Sequence, residues 1–219
     1  MLTTSIQSFG SECFFFFNYN RVNAAITNEK VRDHIESIFK SDIYKIRNTL
    51  KKTTSPWERE KAIITFLQKD YEEKNLFVLF LRILFPKKNA PSHYLVFITK
   101  NILGYRLMKE LIKSYSTSST GSLFEFDPHS SSKGLNLFQN SNSMAEILGN
   151  ELLKRFSGKK ISVIELINQH TYRTPYVLND YQEALKYLYF TEGKINCVTE
   201  NNKAPRKNSM NPKNTVIFP

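Results

Sequence analysis

The chain has 219 residues, 41% of them hydrophobic and 13% aromatic, with 17 Phe, and carries a formal charge of +11. That length makes one large domain or two small ones. The charge favours a polyanionic partner, with nucleic acid first and an acidic protein or membrane surface behind it. Two distant cysteines, Cys13 and Cys197, exclude a disulfide framework and a metal quartet. No basic-then-apolar leader opens the sequence, and its strongest apolar run, Leu76–Phe85, contains Arg82 and is too short for a membrane helix. The expectation is a soluble, cytoplasmic protein without a membrane partner.

Taken in order, Leu2, Ile6 and Phe9 have helical spacing, and Gly10 provides a stop. The run Cys13–Phe17 then reads as a strand buried on both faces, which needs neighbours on both edges. In open α/β sheets ligands collect beyond the carboxyl ends of strands. Asn18, Tyr19, Asn20, Arg21 and Asn23 lie at that place and are the substrate-pocket candidates. The same groups also suit a helix cap and a tied-down loop, so both readings stay open here.

A helical insertion follows over about 27–75. Thr27 or Asn28 caps a helix with the stripe Val31, Ile35, Ile38 and Phe39, and Ile43, Ile46 and Leu50 mark a second. Ser55-Pro56 opens a third, with Trp57, Ala62, Ile63, Phe66 and Leu67 inward and Arg59 and Lys61 toward solvent. Leu76–Phe85 and His93–Lys100 form an antiparallel hairpin across a basic, proline-bracketed loop. Asn101–Ser114 is a helix with Leu103, Leu107, Met108 and Leu111 as its apolar side.

From Tyr115 to Ser143, Ser, Thr, Gly and Asn dominate, which marks a domain boundary; an island at Ser122–Pro128 adds a strand or packs down. Met144–Phe156 is helical, with Ile147, Leu148, Leu152, Leu153 and Phe156 buried. Ser162 caps Val163–Gln169, and Thr174-Pro175 opens a third helix lined by Val177, Tyr181, Ala184, Leu185 and Leu188. Two short strands, Ile195–Thr199 and Thr215–Phe218, flank a basic loop. Three helices and a basic-tipped hairpin are the order of a winged helix-turn-helix.

In such a module the third helix enters the DNA major groove by its N-terminal end. The exposed positions expected there are Tyr176, Asn179, Asp180, Gln182 and Lys186, with Arg173 and Thr174 reaching phosphate. Lys203, Arg206, Lys207 and Lys213 on the wing supply attraction that weakens with salt. Asp180 and Glu183 work against phosphate, and winged helices also serve as protein-interaction modules. From Met144 onward, eleven Lys/Arg stand against seven Asp/Glu, a basic but not extreme balance. Seven glycines form no phosphate-cradling loop, His34, His93, His129 and His170 have no metal-ligand spacing, and no serine sits in a nucleophile elbow. No residue is assigned a catalytic role or a metal.

The stretch from Cys13 to Asn23 (CFFFFNYNRVN), Ser92–Phe97, Leu103–Glu110 and Phe124-Glu125-Phe126 resemble the three-Cys-motif partner proteins. Ile164–His170, Pro175-Tyr176, Tyr181, Ala184-Leu185, Gly193-Lys194-Ile195 and Val216–Pro219 resemble the winged helix that ends that family. The resemblance implies a class I, S-adenosylmethionine-dependent methyltransferase-type domain acting beside a three-cysteine, radical-SAM-like partner. It also implies that the chain begins after the cofactor-binding strands, with Phe14–Phe17 in the fifth-strand region and the hairpin as the final antiparallel pair. The expected architecture is therefore α/β: a partial Rossmann-like domain over 1–115, a Ser-rich linker over 116–143 and a winged helix over 144–219. The expected function is DNA binding without independent catalysis or a cofactor of its own. The alternatives are a methyltransferase completed by a separate N-terminal chain, which would supply S-adenosylmethionine binding, and a scaffold for the three-Cys-motif partner.

Overall fold

The computed structural model describes residues 12–39, 42–85, 88, 90–120, 123–128, 141–207 and 209–219. The expected helix Leu2–Phe9 and the Ser-rich run 129–140 lie outside the described residues. The chain divides into two units, 1–134 and 135–219.

The first unit runs β1 (Cys13–Phe17), α1 (Tyr19–Ala25), α2 (Arg32–Phe39), α3 (Ile43–Lys51), α4 (Pro56–Glu72), β2 (Phe77–Leu84), β3 (Pro91–Thr99), α5 (Ile102–Tyr115), β4 (Ser118–Thr120) and β5 (Leu123–Phe126). Its sheet has the order β1-β3-β2-β5-β4, with β2 and β5 parallel and every other pair antiparallel. The expected hairpin is present, with Phe77 opposite Thr99 and a bulge at Ile83/Leu84. Within the run placed in the linker by composition, the island expected to add a strand or pack down supplies β5, and Ser118–Thr120 supplies β4.

Strand β1 differs from its expectation. Among the described residues it pairs only with β3 and is an edge strand, and Phe14 and Phe16 are 52% and 69% exposed. Alternation explains this: Phe15 and Phe17 turn toward the helices and Phe14 and Phe16 turn away. A run of one residue type cannot display that alternation in sequence.

Helices α1–α4 cover one sheet face, and Phe17, Ile26, Ile35, Ile46, Ile63, Leu67, Val96 and Ile98 form its core. Local chemistry starts these helices. Asn18 Oδ1 accepts from Arg21 N–H at 3.0 Å, Asn28 Oδ1 accepts from Lys30 N–H at 3.0 Å, and Pro56 occupies the first turn of α4. In α4 the buried residues are Glu60, Ile63, Ile64, Leu67 and Tyr71, while Trp57, expected inward, is exposed. It lies one turn before Glu60, where the helix overhangs a cavity.

Helix α5 is inverted relative to its expectation. Tyr105, Arg106, Lys109 and Ile112 are buried, while Leu103, Leu107 and Leu111 are exposed. Tyr105 stands 5.8 Å from the Phe77 ring, and Lys109 Nζ lies 5.7 Å from the Tyr105 centroid. The covered side mixes Tyr105 and Ile112 with Arg106 and Lys109, so the side with the cleaner apolar stripe is the exposed one and periodicity points the wrong way.

The second unit runs α6 (Ser141–Phe156), β6 (Lys160–Ser162), α7 (Val163–His170), α8 (Leu178–Lys186), a π turn (Tyr187–Thr191), β7 (Asn196–Val198) and β8 (Thr215–Ile217). The sheet order is β6-β8-β7, all antiparallel. Leu148, Leu152, Phe156, Val163, Leu166, Tyr181, Leu185, Leu188 and Val216 fill the core. Gly149 permits the close approach of α6 to the π turn, since a Cβ there would meet the Leu188 side chain at 3.2 Å. Ile147, expected in the core, is 53% exposed because the inward row of α6 is Ala145, Leu148, Leu152 and Phe156.

That phase is testable by denaturant unfolding of the chain followed by circular dichroism. Leu148→Ala should destabilise by about 2–5 kcal/mol, as a cavity in a packed core does. Ile147→Ala should fall below about 1 kcal/mol, as a surface change does.

Candidate functional site

In the first unit, strand register brings four residues into one row: Phe17 opposite Tyr94, Tyr94 opposite Arg82, and Arg82 opposite Glu125. Glu60 descends onto the row from α4. Arg82 Nε donates to Glu60 Oε1 at 2.5 Å, its Nη2 to Glu60 Oε2 at 3.1 Å and its Nη1 to Glu125 Oε1 at 2.9 Å. Tyr94 Oη also donates to Glu60. Arg82, Glu60, Tyr94 and Glu125 are all buried. Burial, reinforced by the Glu60 charge, holds the Tyr94 phenol far above the usual tyrosine range.

A cavity of about 690 Å³ opens beside this cluster. Its walls are Tyr19, Asn20 and Asn23 of α1, Ser55–Trp57 with Arg59 and Glu60 at the start of α4, and Arg82, Ala90, Pro91 and Glu125. Of the five substrate-pocket candidates, Tyr19, Asn20 and Asn23 therefore meet in one place. Asn18 and Arg21 do not: Asn18 caps α1 and its Nδ2 lies 3.2 Å from His93 Nε2, while Arg21 is exposed. Arg59, expected in solvent, is half-buried on the cavity wall. Its Nη1 donates to Leu50 O at 3.0 Å and its Nη2 to Asn23 Oδ1 at 3.1 Å.

In the second unit, the helix expected to open at Thr174-Pro175 starts at Leu178 instead. The chain turns first through Arg173, whose φ is +60°, with Thr174 Oγ1 donating to Thr171 O at 3.0 Å. Asp180 Oδ2 then accepts from Val177 N–H at 2.7 Å and fixes the start of α8. Tyr176, expected on the exposed face, is consequently buried. Its ring stacks on His170 at 6.3 Å, and its Oη donates to Glu151 Oε1 at 3.1 Å. Burial first, and then the Glu151 charge, push its phenol up to about 12.

On α8, Asn179 is exposed, Gln182 is half-buried with Nε2 donating to Met210 O at 2.8 Å, and Lys186 pairs with Glu183 at 2.8 Å. Between β7 and β8 the wing carries Lys203, Arg206 and Lys207, all exposed and none in an ion pair with a described carboxylate. Lys213 sits 3.5 Å from Glu200. The loop is anchored from beneath. Pro205 and Met210 are buried, Met210 Sδ lies 3.6 Å from Cys197 Sγ, and Thr199 N–H donates to Lys203 O at 2.8 Å.

Residues 109–202 match a family model described as GMT-like wHTH domain. The C-terminal unit is a winged helix. The match begins inside α5 of the first unit and ends in the wing. No curated protein and no solved structure matches the chain. Among the described residues no helix is long and apolar enough to cross a membrane, and no cluster of His, Cys, Asp and Glu could hold a metal ion.

S-Adenosylmethionine, which the sequence resemblance implies for a completed domain, does not fit the residues described. Its binding needs a glycine-bearing turn between a strand and the following helix. The described glycines, Gly104, Gly149, Gly158 and Gly193, lie in helices or in the winged helix.

Sequence reasoning missed Glu60, Arg82, Glu125, Arg59 and the placement of Trp57. A signal existed for the buried ions. Arg82 is the one charge in an apolar strand and Glu125 the one charge in Leu-Phe-Glu-Phe, and buried charges need partners. The Tyr176 environment carries a pH prediction. Below pH 10 the phenol is neutral in both folded and unfolded chains; above it the unfolded chain loses the proton first, so stability falls as pH rises toward 12. Tyr176→Phe should make the decline in unfolding free energy between pH 9.5 and 11.5 shallower, by about one proton at most, in guanidinium titrations.

Proposed function

We propose that the chain binds nucleic acid, DNA foremost, through its winged helix, with the wing as the main phosphate contact. The observation that carries this is the trio Lys203, Arg206 and Lys207, exposed without ion pairs to described carboxylates on a loop held to the domain by Met210 and Gln182. Asn179 is the residue on α8 placed to read a base edge, because an amide pairs in two directions with adenine. Arg173 and Thr174, in the turn before α8, stand close to where a phosphate would pass. Lys186 and Lys213 contribute less, each sharing its charge with a glutamate, and Gln182 acts by holding the wing. The test is duplex DNA binding across a salt series. Replacing Lys203, Arg206 and Lys207 by Ala should weaken binding and lower the slope of log affinity against log salt by about 0.9 for each phosphate that is no longer neutralised. Unchanged affinity and slope would overturn the assignment.

A second reading concerns the first unit: a partial methyltransferase-type domain of a three-Cys-motif partner relative, completed by a separate N-terminal polypeptide and inactive alone. Two observations favour it. The order β1-β3-β2, with the last strand in the middle, is that of the final strands in such a sheet. The apolar surfaces of Phe14 and Phe16 and of Leu103, Leu107 and Leu111 are exposed, as surfaces awaiting a partner are. Calorimetric titration of the chain alone with S-adenosylmethionine should give no binding heat, and a clear isotherm would sink this reading.

A further inference from the structure

We propose that the cavity at the start of α4 is a nucleotide site, with the base stacked on Trp57 and the phosphate directed to Arg59. The inference is independent of the winged helix. It rests on four features of the cavity lining.

The first is a stacking platform. The Arg82 guanidinium lies 5.5 Å from the centroid of the Trp57 ring, yet 43% of this large side chain remains exposed while it lines the cavity. Arg82 is itself pinned by Glu60 and Glu125, so it braces the indole and brings no net demand for an anion. An indole braced in this way offers a π surface to any base.

The second and third features are two amides one turn apart on α1. Asn20 Nδ2 donates to Pro91 O at 2.9 Å, which leaves its Oδ1 as an acceptor. Asn23 Oδ1 accepts from Arg59, which leaves its Nδ2 as a donor. One acceptor and one donor, each fixed by the bond made at its other atom, match the paired donor and acceptor on a base edge.

The fourth feature is charge. Arg59 is half-buried, its two described bonds go to neutral oxygens, and it makes no ion pair with a described carboxylate. A guanidinium so placed keeps its charge for an anion entering the cavity, and phosphate suits its planar donors. Ser55, at the cap of α4, makes no capping bond with its hydroxyl and lines the same cavity. A cavity of about 690 Å³ holds a mononucleotide. A neutral sugar or a bare aromatic would leave the charge of Arg59 unused.

The nucleotide could be free or could be an unstacked residue of a nucleic-acid strand, and fluorescence separates the two. Trp57 is the only tryptophan in the chain, so its emission reports this cavity directly. The full chain is titrated with AMP, UMP and a short single-stranded oligonucleotide, with ribose 5-phosphate as the control lacking a base. Saturable quenching by nucleotide and none by ribose 5-phosphate is expected. Saturation by the mononucleotides assigns a free nucleotide, and saturation by the oligonucleotide alone assigns a strand. Asn20→Ala, with its fold checked by the thermal midpoint, should weaken binding about tenfold, the effect of removing one hydrogen bond. Arg59→Gln should weaken nucleotide binding further and abolish the preference for a phosphorylated ligand. Quenching that rises linearly with concentration, or that is unaltered in both variants, would overturn the proposal. The wing variant should leave AMP quenching intact, so failure of the winged-helix reading and failure of this one are told apart.

Discussion

Arg82 is 2% exposed in the middle of a five-stranded sheet, and a guanidinium there cannot be left uncompensated. Meeting it takes a carboxylate from α4, a second from β5 and a phenol on β3 that satisfies the first. Those requirements position much of the unit. The first turns of α4 must lie against the sheet face for Glu60 to reach, and β5 must run beside β2 for Glu125 to stand opposite Arg82. A slip of one residue in any of these strands would carry its member of the row to the opposite face. A well-packed apolar substitute for such a cluster is often equally stable. Its clearest effect is therefore on register, and the cavity beside it inherits that definition.

In the proposed function the wing carries more of the contact than the recognition helix. A recognition helix is usually credited with the contact, but the cation of α8 is shared with Glu183 and the amide of Gln182 is committed to the wing. Lys203, Arg206 and Lys207, which no described carboxylate shares, are on the loop between β7 and β8. That loop is long, yet Pro205 and Met210 are drawn into the domain and Cys197 packs against Met210. Burial pushes the Cys197 thiol up to about 11, so it behaves as a packing group and not as a thiolate. The anchored loop presents its cations from a defined place, which lowers the entropy lost when they are engaged.

Element types were largely legible in the sequence, and their faces were not. The hairpin, the Pro56 helix start, the Asn28 and Ser162 caps and the winged-helix order all follow from local chemistry that the structure retains. The differences share a cause. Ile147 and Leu148 are adjacent apolar residues 100° apart on a helix, and only the partner element decides which is inward. Thr174-Pro175 resembles a helix start that would expose Tyr176, whereas the left-handed Arg173 delays the helix to Leu178. In the candidate cavity, Tyr19, Asn20 and Asn23 were legible from their position after a strand. The residues that join them there were not, because Trp57 and Arg59 come from a helix more than thirty residues away and no short-range pattern links them.

Helix α5 joins these observations. Among the described residues one side of α5 packs on the sheet, and the other presents Leu103, Leu107 and Leu111. Phe14 and Phe16 extend the exposed apolar surface. They stand opposite Phe97 and Leu95, on the sheet face that also carries Phe77, and Phe77 meets Tyr105 of α5. The uncovered side of the helix and the uncovered edge strand thus belong to one side of the sheet. The cavity, the buried ion cluster and the helical layer belong to the other. A partner that covers the first side has no need to approach the cavity, so covering that side and occupying the cavity are separable events. The guanidinium of Arg59, bonded to neutral oxygens, is on the cavity side, while the exposed side offers Leu, Phe and a strand edge. A polar small ligand therefore suits one side and an apolar protein surface the other.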